Sequence, residues 1–218
     1  MSSFPVTEQN RIRRHAERAH YDRATIYAIL DATFVAQVAY VRDGRPVIIP
    51  TLYARRGDTL LFHGAPTCGL MEHLAQGGEV AVSVTLLDGI VVTKALYDLS
   101  VNYRSVVAFG HGRLLKDPEA KRAALRHLTE HIVPGHWQEV NAPRPEHLAH
   151  VAVAEVPIES ASAKIRDLPP HEEGPSRDLP VWAGYLPARL IFGPPHPAEY
   201  AAGIPLPESL RRHFDLEP

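Results

Sequence analysis

The sequence is poor in cysteine and has no long apolar run. The first feature limits disulfide formation, and the second argues against a segment that crosses a membrane. Cys68 is the single cysteine among 218 residues, so the chain cannot form an intramolecular disulfide, which agrees with a reducing compartment. The longest apolar stretches have the length of a strand, and residues 1–20 carry basic residues without a following apolar segment. We therefore predict neither a signal peptide nor a spanning helix, and we expect a cytoplasmic protein with no membrane partner.

The sequence also lacks a strong charge of either sign. Its formal net charge is −2, which gives no overall basic surface for nucleic acid, and we expect no nucleic-acid partner. The hydrophobic fraction of 45% and the charged fraction of 22% are ordinary for a globular protein. A chain of this length can form one large β-rich domain, and we predict a single domain over residues 1–218 with a core at about residues 21–165.

Motifs of several common chemistries are missing as well. No glycine-rich phosphate loop follows a predicted strand, which argues against a Rossmann or P-loop fold. The Gly-x-Ser-x-Gly pattern of serine hydrolases is not present. His127 and His131 stand four residues apart, but no His-Glu-x-x-His pattern surrounds them and no cysteine or carboxylate completes a site. We therefore predict no metal site, and we expect the two histidines on a solvated helix face.

What the sequence does contain is a succession of short strand patterns separated by tight turns. The strand patterns are β-branched and aromatic, and they cover residues 34–41, 46–54, 59–63, 80–84, 90–93, 104–115 and 149–158. Asp43-Gly44 predicts a hairpin turn between the first two, and Asp88-Gly89 predicts a further turn. This pattern favours a mainly β fold of the α+β class over alternating βαβ units.

Three helices are predicted between these strands. Asp22 can cap a helix over residues 23–31 whose apolar face contains Ile26, Ile29 and Leu30. Residues 66–75 have helical content, and Asp117-Pro118 opens a third helix with Asp as its N-cap. The last 50 residues differ in composition, because eleven of the twenty prolines lie between Pro169 and Pro218. We expect this tail, residues 166–218, to wrap over the domain or a partner subunit.

Two segments carry a family resemblance. One is residues 61–71, Leu-Phe-His-Gly-Ala-Pro-Thr-Cys-Gly-Leu-Met, and the other is residues 99–110, with Asn-Tyr-Arg-Ser-Val-Val before Phe-Gly. Both resemble the flavin mononucleotide (FMN)-binding split-barrel proteins related to pyridoxamine 5′-phosphate oxidase, in particular the branch of the 5-nitroimidazole reductases. The resemblance implies an antiparallel, Greek-key-like split β-barrel with a few peripheral helices. It also implies a homodimer with FMN at the subunit interface.

The resemblance further implies which positions meet the flavin. A barrel strand and the loop and helix start after it would supply Ile49, Pro50, Thr51, Leu52, Phe62, His63, Thr67 and Cys68. Later strands and the tail would add Lys94, Asn102, Arg104, Ser105 and Trp182. The oxidases carry an Arg-Lys pair where this chain has Cys68-Gly69, so two phosphate-binding cations are missing. Lys94, Arg104 or helix N–H groups near Thr67 could replace the lost charge.

Several of these residues have a structural alternative. His63 is expected beside the flavin as the catalytic residue, but a histidine that ends a strand can instead hydrogen-bond a loop. Cys68 is either a small buried side chain or a thiol sensitised by a helix start. Lys94 binds phosphate or protects a strand edge, and Arg104 contacts the cofactor or pairs with an acid across the dimer interface. Trp182 reaches the flavin of the second subunit or anchors the tail in an apolar groove.

The function that these observations favour is an FMN-dependent oxidoreductase acting on an unidentified small molecule, with nitro- or quinone-type acceptors as the runner-up substrate class. The oxidases' substrate-gripping residues are not recognisable here, so we do not expect oxidation of pyridoxamine 5′-phosphate. The alternative is a non-catalytic module that binds a flavin, a deazaflavin or haem, because split barrels host all of these.

Overall fold

The computed structural model describes residues 2–214, and most of its regular structure is antiparallel β-sheet. Within these residues the strands are β1 Ala19–His20, β2 Val35–Arg42, β3 Arg45–Arg56, β4 Thr59–Gly64, β5 Glu79–Val92, β6 Ser100–His111, β7 Arg113–Leu114, β8 Ala152–Pro157, β9 Ser160–Arg166 and β10 Gly184–Pro187. The helices are α1 Arg23–Asp31, α2 Gly69–Ala75, α3 Pro118–Ile132, α4 His136–Glu139, α5 Pro145–Ala149 and α6 Glu208–Phe214.

The strands form one sheet in the order β1-β9-β6-β5-β2-β3-β4-β8-β7, and β10 adds to β5. Every pair is antiparallel. The β2–β3 hairpin turns at Asp43 and Gly44, whose φ angles are 52° and 72°, and this left-handed pair is what a two-residue hairpin turn needs. The predicted α+β, mainly β class is confirmed.

Two apolar clusters hold the sheet together. The larger fills the inside of the curved sheet, where alternate side chains of the long strands meet the apolar face of α1, and it includes Ile26, Val38, Phe62 and Val106. The smaller lies on the opposite face of β3, β4 and β8, where α3 covers Leu61 and Val153. The two faces of β4 are therefore both covered over part of its length.

Both predicted N-caps are confirmed. Asp22 accepts a hydrogen bond from the Thr25 amide at 2.8 Å, and Asp117 accepts one from the Ala120 amide at 2.7 Å. The buried residues of α1 are the predicted Ile26, Ile29 and Leu30. These local signals are satisfied because the cap and the apolar stripe act within a few residues of one another.

The predicted turn at Asp88-Gly89 is wrong. Strand β5 runs without interruption through this dipeptide, and the register with β6 shifts between Leu87 and Gly89. The extra residue forms a β-bulge at Asp88. A Cβ atom on Gly89 would lie 2.4 Å from the carbonyl oxygen of Leu186 in β10, so glycine is needed here for close approach of the tail strand.

Strand β9 was not predicted, although its sequence alternates between small apolar and polar residues. Ala161 and Ala163 face the larger core cluster, and β9 pairs with β6 over seven residues. In the tail, β10 pairs with β5, but the large apolar side chains of this segment are exposed, namely Trp182, Tyr185, Leu190, Ile191 and Phe192. Among the residues described, no helix is long and apolar enough to cross a membrane.

Candidate functional site

The first group of predicted site residues lies on β3, β4 and the start of α2. Tyr53 of β3 pairs with Phe62 of β4, so the preceding Leu52 and the following His63 are neighbours across the two strands. Leu52 is 36% exposed, whereas Phe62 is fully buried and belongs to the core. Of the remaining β3 positions, Pro50 is exposed and Ile49 packs against the larger cluster. The predicted strand residues are therefore of two kinds: Leu52 and Pro50 expose apolar surface, whereas Ile49 and Phe62 pack in the core.

His63 is half-buried and incompletely satisfied. Side chains alternate along a strand, so His63 lies on the same face of β4 as Leu61, and not on the interior face with Phe62. Its Nδ1 atom is buried and has no hydrogen-bond partner among residues 2–214. Burial lowers the pKa of the imidazole below its usual value of 6.5, so the ring is neutral at pH 7. A neutral ring with an unused nitrogen can accept or donate one hydrogen bond to a ligand.

Cys68 and Thr67 stand where β4 passes into α2. Thr67 is exposed, and Cys68 is the half-buried N-cap residue of α2 but makes no side-chain capping bond. A Cβ atom on Gly64 would lie 3.4 Å from the Cys68 sulfur, so the strand end and the helix start are closely packed. The observed environment of Cys68 is that of a small packing residue.

Lys94 follows β5 and is bound to the tail. Its ammonium donates to the carbonyl oxygens of Arg177 at 2.7 Å and Leu179 at 2.8 Å, and its backbone amide donates to the Glu172 carboxylate. The charge of Lys94 therefore already has two acceptors within the chain. These contacts hold residues 172–179 against the end of β5.

Arg104 pairs with an acid of its own chain. Its guanidinium donates to the Asp88 carboxylate, from Nε to Oδ2 at 3.0 Å and from Nη2 to Oδ1 at 2.7 Å. This two-point contact raises the pKa of the guanidinium further, through the hydrogen bonds and the opposite charge of Asp88. The sequence-based alternative placed an acidic partner across a dimer interface, but the structure places it on the neighbouring strand.

Asn102, Ser105 and Trp182 complete the second group. Asn102 is buried, and its amide donates to the Leu168 carbonyl at 3.1 Å while its oxygen accepts from the Leu168 amide at 3.2 Å and from Arg166. Ser105 Oγ donates to the Lys164 carbonyl at 3.3 Å. Trp182 is 61% exposed, so it is not anchored in a groove of its own chain. Asn102 and Ser105 thus have structural partners on or beside β9.

His127 and His131 do not lie on a solvated face as expected. Each ring approaches a backbone carbonyl, His127 Nε2 that of Arg55 at 2.8 Å and His131 Nε2 that of Thr33 at 3.0 Å. The two histidines therefore attach α3 to the sheet. Over residues 2–214, no cluster of three or more histidine, cysteine or carboxylate side chains is placed to hold a metal ion.

The predicted site residues thus form two groups within one chain. One group lies on β3, β4 and α2, the other lies on β6, the end of β5 and the tail, and β2 and most of β5 stand between them. Exposed apolar side chains extend from the first group over the outer face of the sheet, including Ile48 at 67%, Val41 at 61% and Val35 at 39% exposure. An apolar surface of this kind is typical of an interaction site.

Sequence reasoning missed two residues beside the first group. Arg42 ends β2, and Tyr40 lies two positions before it with its ring 4.6 Å from that of His73. Both contact the space above Gly69, where the oxidases carry the second residue of their cation pair. Neither residue belongs to the segments that carry the resemblance, so the only signal in the sequence is their position just before the Asp43-Gly44 turn.

Comparison with known proteins places the chain in a family. Residues 22–165 match the family described as pyridoxamine 5′-phosphate oxidase, and the chain belongs to this family. The split-barrel fold predicted from the sequence is thereby confirmed. No curated protein matches the sequence significantly.

Solved structures give a finer comparison. The flavocytochrome Anf3 from Azotobacter vinelandii is 32% identical, with a TM-score of 0.87 over 97% of this chain and 98% of that chain. The FAD and haem binding protein from Mycobacterium smegmatis is 34% identical, with a TM-score of 0.85 over 90% of this chain and 97% of that one. A putative 5-nitroimidazole antibiotic resistance protein from Bacteroides thetaiotaomicron is 22% identical, with a TM-score of 0.58 over 67% of this chain and 86% of that one, and shares the fold.

Proposed function

We propose that this protein binds a flavin nucleotide on the β3–β4–α2 surface and serves in electron transfer. The observation that carries the proposal is the similarity, over at least 90% of this chain, to two proteins that are named as a flavocytochrome and as an FAD and haem binding protein. The expectation from the sequence was FMN. The name of the Mycobacterium smegmatis relative specifies FAD, so FAD is the first candidate and FMN the second.

The residues on this surface suit such a ligand. A flavin needs an apolar wall for its ring, polar partners for its ribityl chain and positive charge for its phosphate. Leu52 and Pro50 provide exposed apolar surface, and the unpartnered Nδ1 of His63 provides one polar contact. When bound, the flavin supplies the redox chemistry, while the protein positions it and sets its electrostatic surroundings.

We further propose that the protein works as a homodimer in which each flavin lies between the two subunits. Two observations support this arrangement. The two groups of predicted site residues are separated within one chain, and a two-fold partner could bring the exposed Trp182 of one subunit to the first group of the other. The exposed Ile48 and Val41 give the outer sheet face the apolar character that a stable interface needs.

Haem is the second candidate ligand, and a cavity favours it. A cavity of about 520 Å³ lies between the end of α1, the end of α3 and the tail, and its lining includes Phe34, Phe192, Phe214, His131 and His213. Histidine is a common axial ligand of haem iron. The ring nitrogens of His213 make no hydrogen bond to a described residue, so both are available. His131 uses Nε2 toward the Thr33 carbonyl and could bind iron only through Nδ1, so His213 is the first candidate ligand and His131 the second.

Absorption spectroscopy on the purified protein tests both ligands. We expect flavin bands near those of free FAD or FMN, which acid extraction and chromatography assign to one nucleotide, and a Soret band after addition of hemin. His213→Ala should remove the Soret band and leave the flavin bands, while His196→Ala, an exposed tail histidine, should leave both. A protein that binds none of riboflavin, FMN and FAD would contradict the flavin proposal.

The electron-transfer proposal favours a binding or relay role over catalysis on a small substrate. The two relatives that match over nearly their whole length are named for their cofactors and not for a substrate. Reduction of nitro or quinone acceptors by the flavin-loaded protein would support the oxidoreductase interpretation instead. The discriminating measurement is multiple turnover of such acceptors with NAD(P)H, compared with a single electron exchange with the reduced protein.

A further inference from the structure

Arg42 and Tyr40, two residues apart on β2, both border the space that a side chain at residue 69 would occupy. A Cβ atom on Gly69 would lie 2.6 Å from Nη1 of Arg42 and 3.0 Å from the hydroxyl oxygen of Tyr40. Residue 69 is also the position at which the oxidases carry the second cation of their Arg-Lys pair. The guanidinium of Arg42 therefore lies where that cation's side chain would begin.

The hydroxyl of Tyr40 is buried without a partner. Tyr40 is 4% exposed, and its hydroxyl oxygen makes no hydrogen bond to any residue in the range 2–214. The ring is held in place against His73, whose Nε2 lies 2.9 Å from the Glu79 carbonyl. Buried hydroxyl groups nearly always have a hydrogen-bond partner. The orphan hydroxyl of Tyr40 thus indicates a ligand with an acceptor oxygen at this place.

Arg42 has unused donors beside that hydroxyl. Within the described part of the chain, its guanidinium forms neither a hydrogen bond nor an ion pair, although β2 fixes its backbone opposite Arg45. Guanidinium groups bind phosphate oxygens in a two-point geometry that matches their planar fork. The other two cations considered for this role are engaged elsewhere, Lys94 with tail carbonyls and Arg104 with Asp88.

We propose that Arg42 and Tyr40 bind the phosphate of the flavin nucleotide, in place of the family's missing Arg-Lys pair. The inference rests on the flavin binding proposed above. A side chain at residue 69 and the guanidinium of Arg42 would occupy the same space, so the glycine at this position leaves room for Arg42. The chemistry recognised is a phosphate ester, which is the terminal phosphate in FMN and the pyrophosphate in FAD.

Titration of the flavin-free protein with riboflavin, FMN and FAD tests the proposal, because riboflavin has the ring and ribityl chain but no phosphate. Arg42→Ala should weaken binding of FMN or FAD by about tenfold or more, as expected for loss of a charge-assisted contact, and should leave riboflavin binding unchanged. Tyr40→Phe should show the same selectivity with a smaller loss. The nucleotide whose affinity falls in the variants, FMN or FAD, is the one whose phosphate the site binds. Arg126→Ala, an exposed arginine of α3, is the matched control.

A rescue experiment separates this role from a structural one. In the Arg42→Ala background, Gly69→Lys returns a cation at the family's position, and we expect it to restore most of the phosphate-dependent affinity. Circular dichroism and thermal unfolding show whether each variant is folded. Equal losses for riboflavin and the nucleotides, or no loss in Arg42→Ala, would overturn the phosphate assignment while leaving flavin binding intact. If the wild type binds none of the three flavins, the proposed function and this assignment fail together.

Discussion

The guanidinium of Arg104 and the carboxylate of Asp88 form a two-point ion pair at the bulge of β5. The carbonyl of the same Asp88 accepts hydrogen bonds from the Ala188 amide at 2.9 Å and from the Tyr185 hydroxyl. One residue thus links β6 to the tail strand β10. The Asp-Gly sequence that resembles a hairpin turn is used here to attach the tail.

Removal of either member of this pair should weaken the attachment of the tail to the sheet and should have little effect on flavin affinity. The Arg104 side chain is 43% exposed, so we expect a coupling energy of about 1 kcal/mol in a double-mutant cycle of Arg104→Ala and Asp88→Ala. Urea denaturation measures the coupling, and proteolysis after β9 reports release of the tail. Zero coupling together with a tenfold loss of flavin affinity would return Arg104 to the cofactor site.

A charge on the outer sheet face should dissociate the proposed homodimer. Ile48 is 67% exposed on β3, and Ile48→Lys places a solvated ammonium at the centre of the apolar surface. We expect light scattering to give about twice the 24.1 kDa chain mass for the wild type and one chain mass for the variant. Val140→Lys, exposed in the loop between α4 and α5, is the control and should remain dimeric. A monomeric wild type with bound flavin would contradict the dimer.

The cap of α1 gives a pH-dependent prediction. The hydrogen bond from the Thr25 amide lowers the pKa of Asp22, so this residue stabilises the folded protein above its unfolded pKa of about 3.9 and the stabilisation is lost as the pH falls through the lower folded value. Asp22→Ala should cost about 1 kcal/mol at pH 7, and the cost should shrink below pH 4. Asp22→Asn keeps a capping oxygen and serves as the control. Denaturation curves at pH 7 and pH 3 measure the difference, and a cost independent of pH would contradict this account.

The sequence was most informative where one signal acts over a short distance. The caps at Asp22 and Asp117 and the turn at Asp43-Gly44 each depend on neighbouring residues, and the structure contains all three. The family could be identified for a related reason, since its two segments are continuous stretches of sequence. The Asp88-Gly89 turn failed because the choice between a turn and a bulge depends on Arg104 and on the tail, which are distant in sequence.

The candidate site was harder to predict because its charged side chains pair with residues that are distant in the sequence. Lys94 and Arg104 are the cations that the resemblance makes prominent, yet their partners come from residue 88 and residues 177–179. Arg42 is prominent in no motif. Only the packing of β2 against the start of α2 places its guanidinium beside Gly69, and that contact follows from tertiary structure alone.

The role of His63 is the last prediction, and it follows from an imidazole that is neutral, half-buried and unpartnered at Nδ1. We expect His63 to contact the flavin's reactive region and to assist proton transfer, so that it affects turnover more than flavin binding. Loss of a general acid or base typically costs about 10²–10⁴-fold in rate. This prediction applies to the oxidoreductase interpretation: where the flavin-loaded protein turns over nitro or quinone acceptors, His63→Ala should lower that rate within this range and leave flavin occupancy largely intact.

The assay compares wild type, His63→Ala and His63→Gln at matched flavin content, with NAD(P)H or dithionite as electron donor and nitro and quinone compounds as acceptors. Glutamine retains a hydrogen-bonding group but cannot transfer a proton at neutral pH, so His63→Gln should bind flavin as the wild type does and should lose rate as His63→Ala does. His150→Ala, an exposed histidine next to β8, is the control for nonspecific effects. Unchanged rates would make His63 a structural residue that hydrogen-bonds a loop. Loss of a Soret band in His63→Ala would instead make this imidazole, and not that of His213, the haem ligand, because an unpartnered ring nitrogen is available for either role.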